Sequence, residues 1–276
     1  LVRLLIDAGV ALSGTFLNIG AGTCLPPDPM YQLVHSAEGR GFVGLAVDAN
    51  ATDLQRCSHA MRNASARVIP LHAAVDPLAA ADALRPHLAA LFGGGRGGER
   101  PPWPLDFMVI DIDGCDCLVA EELLRVVRPK VLIVEMAFHF PPPFRFSAQH
   151  DPVQSAEWLR EYDVNKFNPT SGCSLSYAIH RFRPFGFHLL RLTHLDAVFV
   201  HESLAPAVEW GLGQRLPQDE FACYRQSSLW VQMPIEYVRE WFFAKHPASS
   251  LGYIWANISQ LNQEVDRPRA PFVLDY

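Results

Sequence analysis

The chain has almost no lysine: three residues, at positions 130, 166 and 245, among 23 basic side chains. With a formal net charge of −6 it offers no global attraction to nucleic acid or to an anionic membrane. It has no basic stripe with interleaved aromatics, so no nucleic-acid surface is expected. No run of 18 or more apolar residues occurs, so no helical membrane span is expected. The six cysteines (24, 57, 115, 117, 173 and 223) form no Cys-x-x-Cys pair, and Cys115-x-Cys117 alone is a poor start to a zinc site. Their expected state is the free thiol, as in a reducing compartment such as the cytoplasm or an organelle interior.

Apolar bulk, by contrast, is plentiful. Of 276 residues 49% are hydrophobic, enough for one large α/β domain and an extension. The organising stretch is 105–117, LDFMVIDIDGCDC. Residues 107–110 are apolar without a polar break, as in a strand buried on both faces of a parallel sheet. Asp111, Asp113 and Asp116 follow, past the carboxyl end of that strand, where open α/β sheets bind ligands. Asp113 or Asp116 alternatively caps the next helix. Asp111 has no such reading, and a carboxylate at a strand lip needs a partner.

Strand and helix patterns alternate around this stretch. Residues 1–12 predict a short amphipathic helix. GTFLNIGAGTC (14–24) is a strand running into Gly20-x-Gly22, and a helix opened by Pro26, Pro27 and Asp28 follows. Strand, glycine turn and helix make the first unit of a nucleotide-type site, because glycine admits close backbone approach and a helix start presents unpaired N–H groups. GFVGLAVDAN (41–50) ends in Asp48, an acid suited to two ribose hydroxyls, or to capping the next helix. Further strands are expected at 66–77 and 129–140, the latter ending near Glu135 and His139. Residues 93–104 read as a flexible loop and 141–172 as a long lid or insertion. After a helix at 173–186, residues 187–203 read as two strands joined by a short turn at 193–196, hence an antiparallel pair. The expected fold class is α/β: a Rossmann-like, mostly parallel sheet that ends in an antiparallel hairpin, the layout of class I S-adenosylmethionine-dependent methyltransferases. A nicotinamide dehydrogenase would instead continue with a second parallel half.

Six segments stand in one register: FLNIGAGTC…DPMYQLV, GFVGLAVDAN, DFMVIDIDGCDCLVAEELL, RPKVLIVEMAFHFPPPFRFS, SGCSLSYAIHRFRPFGFHLL and DAVFVHESL. In order and spacing they resemble FkbM-type methyltransferases, over roughly residues 14–205. The resemblance implies S-adenosyl-L-methionine as cofactor and methylation of an oxygen on a small-molecule or glycan acceptor. By position it implies that Gly20 and Gly22 lie under the methionine and ribose, that Asp48 binds the ribose hydroxyls, that Ala73 and Ala74 border the adenine, and that Asp111 stands beside the amino end. It implies that Glu135 and His139 face the acceptor. The chain departs from the family at Thr23 and Cys24, in place of the acid and third glycine of the turn. It departs again at Asn18, where many methyltransferases carry an acid, and at Ala137, where the family often has asparagine.

A hydroxyl acceptor must lose its proton, and His139, Asp113 and Glu135 are the candidate bases. A histidine in an aromatic-proline loop is more often simply packed. Asp111, Asp113 and Asp116 are spaced to attract Mg²⁺, but neither Glu135 nor His139 completes a persuasive oxygen-ligand set, so no metal is expected. Residues 1–204 are expected to form the methyltransferase-like domain and 205–276 an aromatic-rich, mainly helical extension. Helices are expected at 234–246 and 249–265, and an extended arm at the end. The extension packs on its own domain or on a protein partner. Two functions follow: an active O-methyltransferase, or a chain that keeps the fold without catalysis and serves as a structural subunit of a larger complex.

Overall fold

The computed structural model describes residues 2–63, 66–92, 101–150, 172–193, 195–213, 215–227, 241, 251–252, 254–256, 259 and 272–275. The helix expected at 234–246 lies outside them except for Trp241, and the insertion does so over 151–171; of the helix expected at 249–265, residues 251–252, 254–256 and 259 are described and are helical. The order begins α1 (Val2–Asp7), β1 (Thr15–Ile19), α2 (Pro29–His35), β2 (Val43–Asp48), α3 (Ala51–Asn63), β3 (Arg67–His72), α4 (Ala80–Phe92), β4 (Trp103–Ile110) and α5 (Asp116–Leu124). It continues β5 (Val127–Glu135), β6 (Arg145–Ala148), α6 (Leu175–Phe182), β7 (Phe187–Leu192), β8 (Asp196–His201), α7 (Ala205–Leu212), α8 (Glu220–Gln226) and β9 (Phe272–Asp275).

Seven strands form one sheet in the order β3-β2-β1-β4-β5-β8-β7. The pairs from β3 to β5 are parallel, and β8 runs antiparallel between β5 and β7. The short link after Leu192 folds β8 back on β7, so the hairpin expected from residues 187–203 is present. Each central strand is apolar on both sides because helices cover both faces. Leu17, Ile19, Met108 and Ile110 pack with α4, α5 and α6, while Phe16, Ala46, Val109 and Val131 pack with α1, α2 and α3. Pro70 is accommodated in β3, the outermost strand.

The insertion does not begin as a loop. Residues 145–148 form β6, which pairs antiparallel with β9 and stacks Phe146 against Phe140, with Phe272 of β9 alongside. The segment near the chain end is thus a strand laid on the domain. Trp241 follows the same pattern: its indole N–H donates to the Pro142 carbonyl at 2.7 Å, and its ring lies against Tyr224.

The cysteines correct the sequence reading. Four are paired, Cys24 with Cys57 and Cys117 with Cys173, and only Cys115 and Cys223 are free. Cα separations of 4.6 and 6.0 Å suit a disulfide. The partners stand 33 and 56 residues apart in sequence, so no local spacing announces them. Persistent disulfides belong to an oxidising environment, which runs against the reducing compartment expected from the thiols.

At the amino-terminal foot of the sheet, Asp106 of β4 is fully buried. It accepts hydrogen bonds from Gly14 N at 2.6 Å, Thr15 N at 3.2 Å and Ser13 Oγ at 3.1 Å, and pairs with Lys130 Nζ at 2.6 Å. One carboxylate therefore ties the entry of β1 to β4 and β5. Asp106→Ala strands these donors and is expected to cost about 3 kcal/mol, read from urea unfolding. Alkylation of the denatured chain is expected to label two cysteines before reduction and six after it, read from intact mass; six before reduction would refute the disulfides.

Candidate active site

The carboxyl edge of the sheet gathers the polar residues. At the tip of β1, Gly20 and Ala21 both donate N–H to the Val47 carbonyl, at 2.9 and 3.1 Å. Gly20 takes φ +75°, and a Cβ there would lie 1.6 Å from the Asp111 carbonyl oxygen. Its glycine is demanded by the approach of the β4 tip rather than by a ligand. Gly22, at φ +48°, has open space above it, and its N–H donates to Asp48 Oδ2 at 2.6 Å. The other Asp48 oxygen accepts Asn50 N at 2.7 Å. Asp48 is not the cap of α3: Asn50 Oδ1 takes that role, accepting from Thr52 N at 3.0 Å and Asp53 N at 3.3 Å. Asp48 is pinned against the glycine turn with a lone pair on each oxygen to spare. Ala73 donates its N–H to the Asp48 carbonyl at 3.0 Å, and Ala74 is exposed beside it.

Cys24 occupies the third-glycine position at φ +52°, a backbone region that favours glycine. Its side chain does not reach over the turn but turns into the layer beneath and bonds to Cys57 of α3.

Alternation along the strands decides the rest. Asn18, Asp111, Glu135 and Asp196 keep the parity of Phe16, Val109, Val131 and Val198, so all four point to the α2 side of the sheet. Glu135 stands directly opposite Asp196 in the β5–β8 register. Asp111 and Glu135 are hydrogen-bonded through their carboxyl groups. Two neighbouring carboxylates that are largely withdrawn from water resist ionising together, so the pair retains a proton above the usual carboxylate range. Burial is the main cause of the upward shift in each; charge from Asp116 and Asp113 adds to it in both, and Asp111 adds to that of Glu135.

Asp111, Asp113 and Glu135 have carboxylate oxygens within 4.8 Å of one another, so the structure brings three of the candidates together. Asp113 is exposed at the loop apex with φ +55°. Asp116 serves the loop itself: buried, it accepts Ile112 N at 2.8 Å and Gly114 N at 3.1 Å. His139 lies outside this group, in the turn after β5, with its ring 4.1 Å from that of Phe138. Burial lowers its pKa to about 4, so it is neutral at ordinary pH.

Two acids at this edge escaped the sequence reading. Asp28 was visible only as the opening of α2, and Asp196 only as part of a turn. Asp28 accepts Asn18 Nδ2 at 3.0 Å and Met30 N at 2.6 Å, and burial raises its pKa to about 6.

No family model and no curated protein matches the chain. Among solved structures it is similar to an SAM-dependent methyltransferase from Geobacter sulfurreducens in complex with S-adenosyl-L-homocysteine, at 12% identity over 69% of this chain and 64% of that one, TM-score 0.35. It is similar to the O-methyltransferase from Bacillus cereus in complex with SAH, at 15% identity over 72% of this chain and 78% of that one, TM-score 0.35. A third is an S-adenosylmethionine-dependent methyltransferase from Clostridium acetobutylicum, at 6% identity over 72% and 88%, TM-score 0.36. The chain thus spans less than two thirds of the first of these. Strand order and direction define the fold independently of these weak likenesses: it is the Rossmann-like class I methyltransferase sheet, with β8 reversed between β5 and β7.

The retained proton makes stability pH-dependent. The folded state holds protons on Asp111 and Glu135 above the usual carboxylate range, where the unfolded chain has lost them, so stability falls as pH rises through the raised values. The opposing contribution of His139 is complete near its ordinary value of 6.5. Between pH 7 and 9 the unaltered chain is expected to lose about 1 kcal/mol more than the D111N/E135Q variant, read from melting curves.

Proposed function

We propose that the chain is an S-adenosylmethionine-dependent methyltransferase of the FkbM type that methylates a hydroxyl of a small molecule or glycan. The observation that carries this reading is Asp48, pinned at the tip of β2 by the N–H groups of Gly22 and Asn50 beside open space. Its free lone pairs suit a vicinal diol, and the acids just past the end of β4 suit a cationic amino-acid end, so the donor set fits the cofactor. Bound S-adenosylmethionine supplies a methyl group already activated on a sulfonium.

The protein's own tasks are alignment, exclusion of water and removal of the acceptor proton. The Asp111–Glu135 pair is the base this geometry favours, because its affinity for a proton is raised above that of a lone carboxylate. Asp113 stands beside the pair, exposed at the apex of its loop. His139, neutral and half-buried next to Phe138, is a weak base and shapes the acceptor wall. The reading as a structural subunit drew on the aromatic surface of the extension, some of which is packed: Trp241 against Tyr224, and Phe272 against Phe146.

Calorimetric titration with S-adenosylmethionine and S-adenosylhomocysteine tests the reading. Micromolar binding is expected, weakened at least about tenfold by Asp48→Ala. A folded chain that takes up neither ligand at high concentration would overturn it.

A further inference from the structure

β1 carries no acid at the cofactor edge, since Asn18 stands where many methyltransferases have one. Asn18 is nevertheless 1% exposed and does not idle in the core. Its amide donates to a carboxylate that comes from elsewhere in the chain, Asp28 Oδ2 at 3.0 Å. The other Asp28 oxygen accepts Met30 N at 2.6 Å, which fixes the side chain at the start of α2. Asp28 is therefore held against β1, the strand that lies between β2, which ends in Asp48, and β4, which runs into Asp111. It is electrostatically coupled to Asp196, the residue facing Glu135. Among the described residues, the groups acting on it are the Asn18 amide, the backbone N–H groups of Met30 and Tyr31, and the charge of Asp196, none of them a lysine or arginine.

A carboxylate held this way, with no lysine or arginine on it among the described residues, stands on the strand next to Asp48, the direction in which a ligand whose ribose lies on Asp48 would extend its amino-acid end. We infer that Asp28 binds the α-ammonium group of the cofactor's methionine portion, and that Asn18 is a positioning residue that aims it. The charge usual on β1 is supplied by the loop after the glycine turn, and the strand keeps only the amide that orients it. The inference rests on the methyltransferase reading and assigns a role to residues that this reading leaves unused.

The test separates the two ends of the ligand. S-adenosylhomocysteine carries the ammonium; methylthioadenosine keeps adenine, ribose and the thioether sulfur and lacks the amino-acid end. Asp28→Asn removes the charge while asparagine still caps α2, so the fold is retained. Calorimetric titration is expected to show roughly tenfold to hundredfold weaker binding of S-adenosylhomocysteine by D28N, with methylthioadenosine changed less than about twofold. Asn18→Ala, which frees the carboxylate without removing it, is expected to give the same selective loss at smaller size. Methylthioadenosine binding in both variants is the control for folding. Equal weakening of both ligands, or no weakening of either, overturns the role of Asp28 alone. Failure of the unaltered chain to bind either ligand overturns the methyltransferase reading and this inference with it.

Discussion

Charge withdrawn from water is the constraint around which this molecule is arranged. Carboxylates at the end of a buried sheet are costly unless each is paired, hydrogen-bonded or protonated. The chain uses all three solutions. Asp106 at the foot is paired with Lys130 and bonded to backbone N–H groups. Asp116 is absorbed into its own loop, accepting two backbone donors. Asp111 and Glu135 retain a proton, because burial and the charge of neighbouring acids both oppose ionising them. The last solution leaves a proton that can be exchanged, and it sits at the carboxyl edge of the sheet.

The loops that hold this edge are braced covalently. Cys24–Cys57 ties the glycine turn to α3, and Cys117–Cys173 ties the start of α5 to the segment before α6. The second bond lies beside a backbone link from Gly172 N–H to the Gly114 carbonyl and another from Ala137 N–H to the Cys173 carbonyl. The acid loop and the turn after β5 are thereby tied to one another. A cross-link over tens of residues removes freedom chiefly from the unfolded chain. Here it also compensates for a turn that lacks its third glycine: the side chain at position 24 is drawn down into the fold instead of standing over the site.

The turn after β5 is covered by the chain's later parts. β6 leaves the turn after β5 and receives β9 from near the carboxyl end, with Phe140, Phe146 and Phe272 packed in sequence. The aromatic residues that gave the sequence its unusual tail serve in part to cover this turn. His139 is half-buried in this turn against Phe138, and its withdrawal from water lowers its basicity.

Much of this was legible from residue order alone. Alternating strand and helix patterns, the apolar run before Asp111 and the tight link near residue 193 imply the sheet and its reversed strand, because these depend on local periodicity and chain length. The edge position of Asp48 and Asp111 follows from strand polarity in the same way. Long-range pairing was not legible. Nothing near Cys24 or Cys117 points to Cys57 or Cys173, and only packing brings each pair within bonding distance. Asn18 reads as a missing acid until α2 folds over β1 and sets Asp28 against it. Asp196 reads as a turn residue until β8 inserts beside β5 and places it opposite Glu135. Even Asp48 needed the folded loop, which gives the capping of α3 to Asn50 and turns the acid to the N–H of Gly22. Periodicity is a property of neighbours in sequence and can be read there; charge balance and covalent pairing belong to neighbours in space, and exist only once the layers have closed.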